Sequence, residues 1–247
     1  MSNFLLWWEQ LKADFITCFV TKERWRYITR GLGNTLKIAL VAVLIGIAIG
    51  SIVAIVRSAH DKNIHEMRPG LGRTLLKIAN AICKVYLTVI RGTPVMIQLL
   101  IMFFVIFTTA RDGVPVAMLC FGINSGAYVA EIIRAGIQSV DVGQMEAARS
   151  LGLPYWRAMH RVVMPQAIKT MIPSIINQFI ITLKDTSILS IIGFPELINA
   201  AKNVNAVEGK VFEIWAIVGV MYLIVISILS IIAKRLERRL NAGRERG

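Results

Sequence analysis

Apolar residues along this chain fall in long blocks separated by short polar stretches, with no amphipathic stripe of the kind a soluble helix carries. Ile38 to Val56 is an uncharged run of nineteen residues, long enough to cross a bilayer at about 1.5 Å per residue. A second block, Ile78 to Ala110, is interrupted by Arg91-Gly92-Thr93-Pro94, where proline removes a backbone donor and bends or breaks the helix. Val114 to Ile137, Thr170 to Ile192 and Ile214 to Ala233 complete five predicted spans. The fourth carries Lys184 and Asp185 within it, and charges at that depth must meet a partner or water. Gly46 and Gly50 form a G-x-x-x-G pair in the first span, a spacing that lets another helix approach closely. Gly193 to Glu213 reads as a loop of mixed polarity. The expectation is an all-α integral membrane protein of five transmembrane helices.

Composition agrees, with 55% hydrophobic residues and a mean hydropathy of +0.62. A formal charge of +13 invites a nucleic-acid partner, but the basic residues sit between apolar blocks and not along one soluble face, so topology explains them and no nucleic acid is expected. With the C-terminus inside, the inner segments hold five, four and six lysines and arginines against five, one and two outside. The positive-inside rule therefore predicts a cytoplasmic tail and, with an odd number of spans, an outer N-terminus, although residues 1–30 ahead of the first span hold five basic residues, Lys12, Lys22, Arg24, Arg26 and Arg30. Residues 1–30 mix Phe4, Trp7, Trp8 and Trp25 with charges and read as an interfacial segment ahead of a membrane domain at 31–247, with no cleavable signal evident. Cys18, Cys83 and Cys120 are widely separated and imply neither a disulfide framework nor a metal site.

One polar stretch has its own internal design. In Val140 to Pro165, Asp141 is placed to cap a short helix through Glu146, Ala147, Ala148 and Arg149, with Gln144 placed to answer the cap. Gly152 suits a left-handed C-terminal turn, and Pro154 suits the first turn of a second helix running to Pro165. Ala147 and Ala148 keep one side thin while Glu146 and Arg149 offer charges, as a docking surface would. The topology turns this loop (138–169), between the third and fourth spans, toward the cytoplasm.

Glu146-Ala147-Ala148, then Gly152, then Val162-Val163-Met164-Pro165 resembles the EAA loop of permease subunits of bacterial ABC importers, departing only by Val162 for Ile and Met164 for Leu. Arg91-Gly92-Thr93-Pro94, the stretch from Ser125 to Glu131, and Leu183-Lys184-Asp185-Thr186-Ser187 resemble the polar amino-acid branch of that family. The resemblance covers roughly residues 31 to 240 and implies an inner-membrane importer subunit whose EAA loop is a coupling helix on an ATPase. It also implies a second permease subunit, identical or not, an extracytoplasmic binding protein that delivers a polar amino acid, and ATP and Mg bound by the partner ATPase, not by this chain. Consistent with that, no G-x-x-x-x-G-K-[ST] occurs here.

For the substrate path, Lys184 and Asp185 suit the carboxylate and ammonium of an amino acid, with Asn177 and Gln178 as polar lining. A structural network of Lys184 with Glu131 and Asp185 with Arg91 is the competing reading. Two other classes differ in what they require. An intramembrane protease built on Ser125-Gly126 lacks a histidine base, because His60, His65 and His160 fall in loops, and Lys184 as base has no oxyanion arrangement to support it. An ion-driven secondary transporter shares the buried charges but needs no docking loop.

Overall fold

The computed structural model describes residues 2–64 and 67–241, and every regular element among them is helical. Arg244 and Arg246 of the basic tail, and His65, lie outside the described residues. Helix α1 (Ser2–Phe19) reverses at Lys22 and Glu23, both with left-handed φ, into α2 (Arg24–Asn63), which begins ahead of residue 31 and extends at both ends beyond the apolar run at its centre. Helix α3 (Leu71–Gly92) breaks at Thr93-Pro94 and continues as α4 (Val95–Ile101) and a π-turn to Ile106, the two arms meeting at 107°. Then come α5 (Gly113–Gln138), α6 (Val142–Ser150), α7 (Tyr155–Ala158), α8 (Met164–Asp185), α9 (Leu197–Glu208) and α10 (Val211–Asn241).

Three of these, α2, α5 and α10, are long and apolar enough to cross a membrane alone, and the bent α3–α4 pair passes the same test when its two arms are counted as one span. Helix α8, on the predicted fourth span, has 22 residues but is not in that apolar set, because Lys169, Asn177, Gln178, Lys184 and Asp185 fall within it.

The core is the contact between α2 and α5, where the G-x-x-x-G pair lets two backbones meet. A Cβ on Gly46 would lie 2.7 Å from Ser125 Oγ, and one on Gly50 would lie 2.8 Å from the backbone nitrogen of Ala130. Small residues are used because helix association in lipid rests on close van der Waals packing. Ser125 Oγ is buried without a hydrogen-bond partner among the described residues, so this serine packs a helix junction.

The segment read as a loop after the fourth span contains α9 instead. Leu197, Ala200, Ala201 and Val204 follow a helical i, i+3, i+4, i+7 spacing and are buried, two of the four being alanines small enough to pass for loop composition. Gly209, at φ 66°, ends the helix. Glu196 caps its start, its carboxylate accepting from Ile198 N at 2.8 Å and Asn199 N at 2.5 Å, while Thr35 Oγ1 of α2 accepts from Leu197 N at 3.2 Å. At the other end Arg24 pairs with Glu208, and Lys210 reaches Asp14 of α1 at 2.9 Å.

Burial of Glu196 pushes its carboxyl up to about 7, against the backbone bonds that favour the charged form. An acid whose folded pKa is raised adds stability that is complete below its ordinary 4.5 and is lost as pH rises through about 7. The melting temperature of the purified protein is accordingly expected to fall between about pH 5 and pH 8, with a flatter profile for Glu196→Gln; equal slopes would remove Glu196 as the cause. Gly50→Ala is expected to destabilise the fold by about 1–3 kcal/mol through overpacking against α5. Gly33→Ala, with nothing within 4 Å of the new methyl, is the control expected to lose nothing.

Candidate functional site

The polar turn is built as a closed unit. Asp141 Oδ1 accepts from Gly143 N at 2.6 Å and caps α6, but Gln144 does not answer it: its side-chain oxygen accepts from Gln166 Nε2 at 3.4 Å, tying α6 to α8. At the other end Gly152, at φ 85°, donates to Arg149 O at 2.9 Å and Leu153 donates to Ala148 O at 3.2 Å. These are the two bonds of a Schellman motif, which only a left-handed residue at this place permits. Pro154 stands just before α7, and its carbonyl accepts from Arg157 and Ala158.

The second helix does not stop at Pro165 as its sequence suggested. Proline cannot donate to the carbonyl four residues back, and the chain absorbs the missing bond in a π-turn from Met159 to Val163, where Met164 N bonds Met159 O. Gln166 Nε2 adds a bond to Val162 O at 3.1 Å. The helical path therefore passes from α7 into α8 without a break. Val140, Val163, Ala167 and Met171 pack together beneath the turn and join it to the ends of α5 and α8.

Of the residues singled out in the turn, Ala148 is buried, while Glu146, Ala147, Arg149, Gly152 and Pro165 are exposed. Beside them stand two exposed apolar side chains that were not singled out, Leu151 at 85% and Trp156 at 73%. Their position on a polar loop, next to Gly152 and Pro154, was the available signal. Against this unit, Lys62 of α2 sits over the Tyr155 ring, and Asp61 of α2 pairs with Arg134 of α5 at 3.2 Å.

Above this unit lie two clefts that share Tyr128 and Glu131. One, about 530 Å³, is lined by Arg57, Lys84, Thr88 and Arg91. The other, about 600 Å³, is lined on the α8 side by Thr170, Ser174, Asn177, Gln178 and Ile181. Four of the six predicted path residues are thus gathered here: Arg91, Glu131, Asn177 and Gln178. Arg91 and Glu131 pair with each other at 3.5 Å, with the guanidinium 5.9 Å from the Tyr128 ring centre, and not with Asp185 and Lys184. Lys184 and Asp185 line neither cleft; Lys184 is exposed and Asp185 half-buried near the end of α8. Gln178 is buried and bonds Thr182 Oγ1 at 3.4 Å.

The break above Arg91 is held by side chains. Thr93 Oγ1 donates to Val89 O at 2.8 Å, and Gln98 Nε2 donates to Ile90 O at 2.8 Å, so carbonyls released by Pro94 find donors. Asn124 of α5 donates to Gln98 Oε1 at 3.0 Å and fixes that amide. Gln98, Asn124 and Lys84 were not among the sequence candidates, because a single polar residue in an apolar block carries no motif, and Arg57 was counted only as one of the five basic residues of the inner segment after the first span.

The sequence matches the family described as binding-protein-dependent transport system inner membrane component over residues 71–242. It is 41% identical over 167 residues to the glutamine transport system permease protein GlnP of Escherichia coli K12, covering 66% of this chain and 76% of that protein. It is 34% identical over 220 residues to the arginine transport system permease protein ArtQ of Bacillus subtilis 168, covering 88% of this chain and 94% of that protein. The fold is similar to a chain from a crystal structure of an amino acid ABC transporter with histidines, with a TM-score of 0.76 at 36% identity over 87% of this chain and 94% of that one. A chain of the inward-facing MetNI methionine ABC transporter shares the fold alone, with a TM-score of 0.70 at 18% identity, covering 90% of this chain and 99% of that one. The chain therefore belongs to the binding-protein-dependent transport system inner membrane components: it is a permease subunit of an ABC importer.

Proposed function

We propose that this permease carries a polar amino acid inward across the cell membrane, driven by a separate ATPase chain that docks on the α6–α7 turn. The observation that carries this reading is mechanical. The turn runs through α7 and the π-turn into α8, and α8 supplies one wall of the polar cleft through Thr170, Ser174, Asn177 and Gln178. A push on the turn is thereby a push on the cleft wall. The exposed Trp156 and Leu151, rimmed by Glu146, Arg149 and Arg157, have the aromatic-and-charge composition of an interface centre.

In this reading α2, the α3–α4 pair, α5, α8 and α10 are five spans, with the C-terminal end of α10 in the cytoplasm and α1 and α9 at the outer face. The exposed Phe4, Leu5, Leu6, Trp7 and Trp8 of α1 fit the bilayer interface, and the Lys210–Asp14 and Arg24–Glu208 pairs hold the segment to the spans. A second permease subunit completes the path, an extracytoplasmic binding protein delivers the amino acid, and ATP with Mg is bound by the partner ATPase. The names of the relatives, glutamine and arginine permeases, support an amino acid as cargo. Arg91 and Glu131 offer its carboxylate and ammonium one charge each. A secondary transporter has no use for the docking turn, and a protease has no base at Ser125.

Reconstitution with the ATPase tests this directly. Gly152→Val meets no clash but forces a β-branched residue into left-handed φ, so the variant is expected to insert and fold while losing most amino-acid-stimulated hydrolysis and uptake. Unchanged uptake would show that the turn does not transmit force. Glu146→Ala is expected to weaken copurification of the ATPase, with about 1–3 kcal/mol lost if its carboxylate is hydrogen-bonded there; full retention would remove Glu146 from the contact.

A further inference from the structure

Helix α3 carries a line of cations along its length. Arg73, Lys77, Lys84 and Arg91 are spaced by four, seven and seven residues. At about 100° per residue these four project within about 40° of one another. Asn80 and Thr88 continue the polar face, while Ile78, Ile82, Val85 and Val89 form an exposed apolar face on the opposite side. Such a line is costly in a span unless it faces a water-filled path. The cleft of about 530 Å³ supplies one, since Lys84, Thr88 and Arg91 line it. Arg57 of α2 enters the same cleft, and its Nε is buried with no hydrogen-bond partner among the described residues. Glu131 is the only acid in the lining among the described residues.

The charge balance of that cleft is asymmetric. An amino acid's carboxylate and ammonium are answered by one cation and one anion, which Arg91 and Glu131 provide as a pair already in place. Arg57 and Lys84 then remain without an opposing charge in the lining among the described residues. A neutral side chain leaves both unanswered, a cationic one adds a third positive charge, and a carboxylate side chain neutralises them. We infer that the cleft between α2, α3 and α5 selects an acidic amino acid, aspartate or glutamate, with Arg57 and Lys84 receiving the side-chain carboxylate. This inference rests on the amino-acid reading above and narrows it.

The test is binding to the assembled permease–ATPase complex in nanodiscs, without the binding protein, measured by thermal shift and by radiolabelled ligand. L-Glutamate is expected to bind saturably and at least about tenfold tighter than L-glutamine or L-arginine, since only it offers the second carboxylate. Lys84 is exposed and lines the cleft, so Lys84→Gln is expected to fold, to weaken glutamate about tenfold and to change glutamine by clearly less, with Lys84→Arg restoring glutamate. Glutamine or arginine binding as tightly as glutamate would overturn the acidic selectivity while the amino-acid reading stands. Wild-type binding of glutamate by Lys84→Gln would also overturn it. Failure of all three amino acids to bind the wild-type complex would overturn the cleft as the substrate path and the inference together.

Discussion

A backbone carbonyl or amide that loses its partner away from water is expensive, and this constraint shapes each functional part of the molecule. At Pro94 it is met by Thr93 and Gln98, which close the carbonyls of Val89 and Ile90 and so allow α3 and α4 to diverge by 107° beside a polar cleft. At Pro165 it is met by a wider helical turn, which keeps α7 and α8 in one piece. At Gly152 the left-handed residue lets the last carbonyls of α6 be satisfied and turns the chain sharply without a loose loop. Side-chain donors stand beside both prolines, Thr93 and Gln98 at Pro94 and Gln166 at Pro165, but the helix breaks at the first and widens into a π-turn at the second.

In the proposed mechanism this arrangement acts as a stiff lever. The surface that meets solvent at Trp156 and the face that meets the cleft at Asn177 and Gln178 belong to one helical path, and the Gly152 turn joins Leu151 at the end of α6 to its start. The turn also touches α2 through Lys62 over Tyr155, while Asp61 joins α2 to α5 through Arg134. The close α2–α5 contact at Gly46 and Gly50 provides the body against which such a lever can work.

Much of this was readable from the sequence because it depends on local chemistry. Helix α5 matches its predicted span to within a residue at each end, and the break at Thr93-Pro94, the Asp141 cap and the Gly152 turn all lie where their residues placed them. The family assignment, which rested on the Glu146 to Pro165 pattern, agrees with the match over residues 71–242. What escaped depends on tertiary context. Helix α9 is buried by small alanines that look like loop composition, and the π-turn arises from a proline that usually ends a helix. In the cleft, Arg91 and Glu131 come together from α3 and α5 although 40 residues separate them, and each had been given a different alternative partner. Lys184 and Asp185 stood out because charge inside a span is conspicuous, yet the cleft is lined by their less conspicuous neighbours one and two turns earlier on α8. Arg57 and Lys84 entered only through geometry.

Pulsed electron-electron spin resonance on the reconstituted complex, with and without ATP, tests the lever most directly. Spin labels at Leu151 and Ile181, both exposed, report on the turn and on α8, and a label at Leu75 of α3 replaces the one at Ile181 in a second pair. With the buried Cys18, Cys83 and Cys120 replaced, a rigid lever predicts that the Leu151–Ile181 distance stays constant on ATP binding while the Leu151–Leu75 distance changes. A Leu151–Ile181 distance that shifts as much as the other would show that the turn bends away from α8 and that force reaches the cleft by another route.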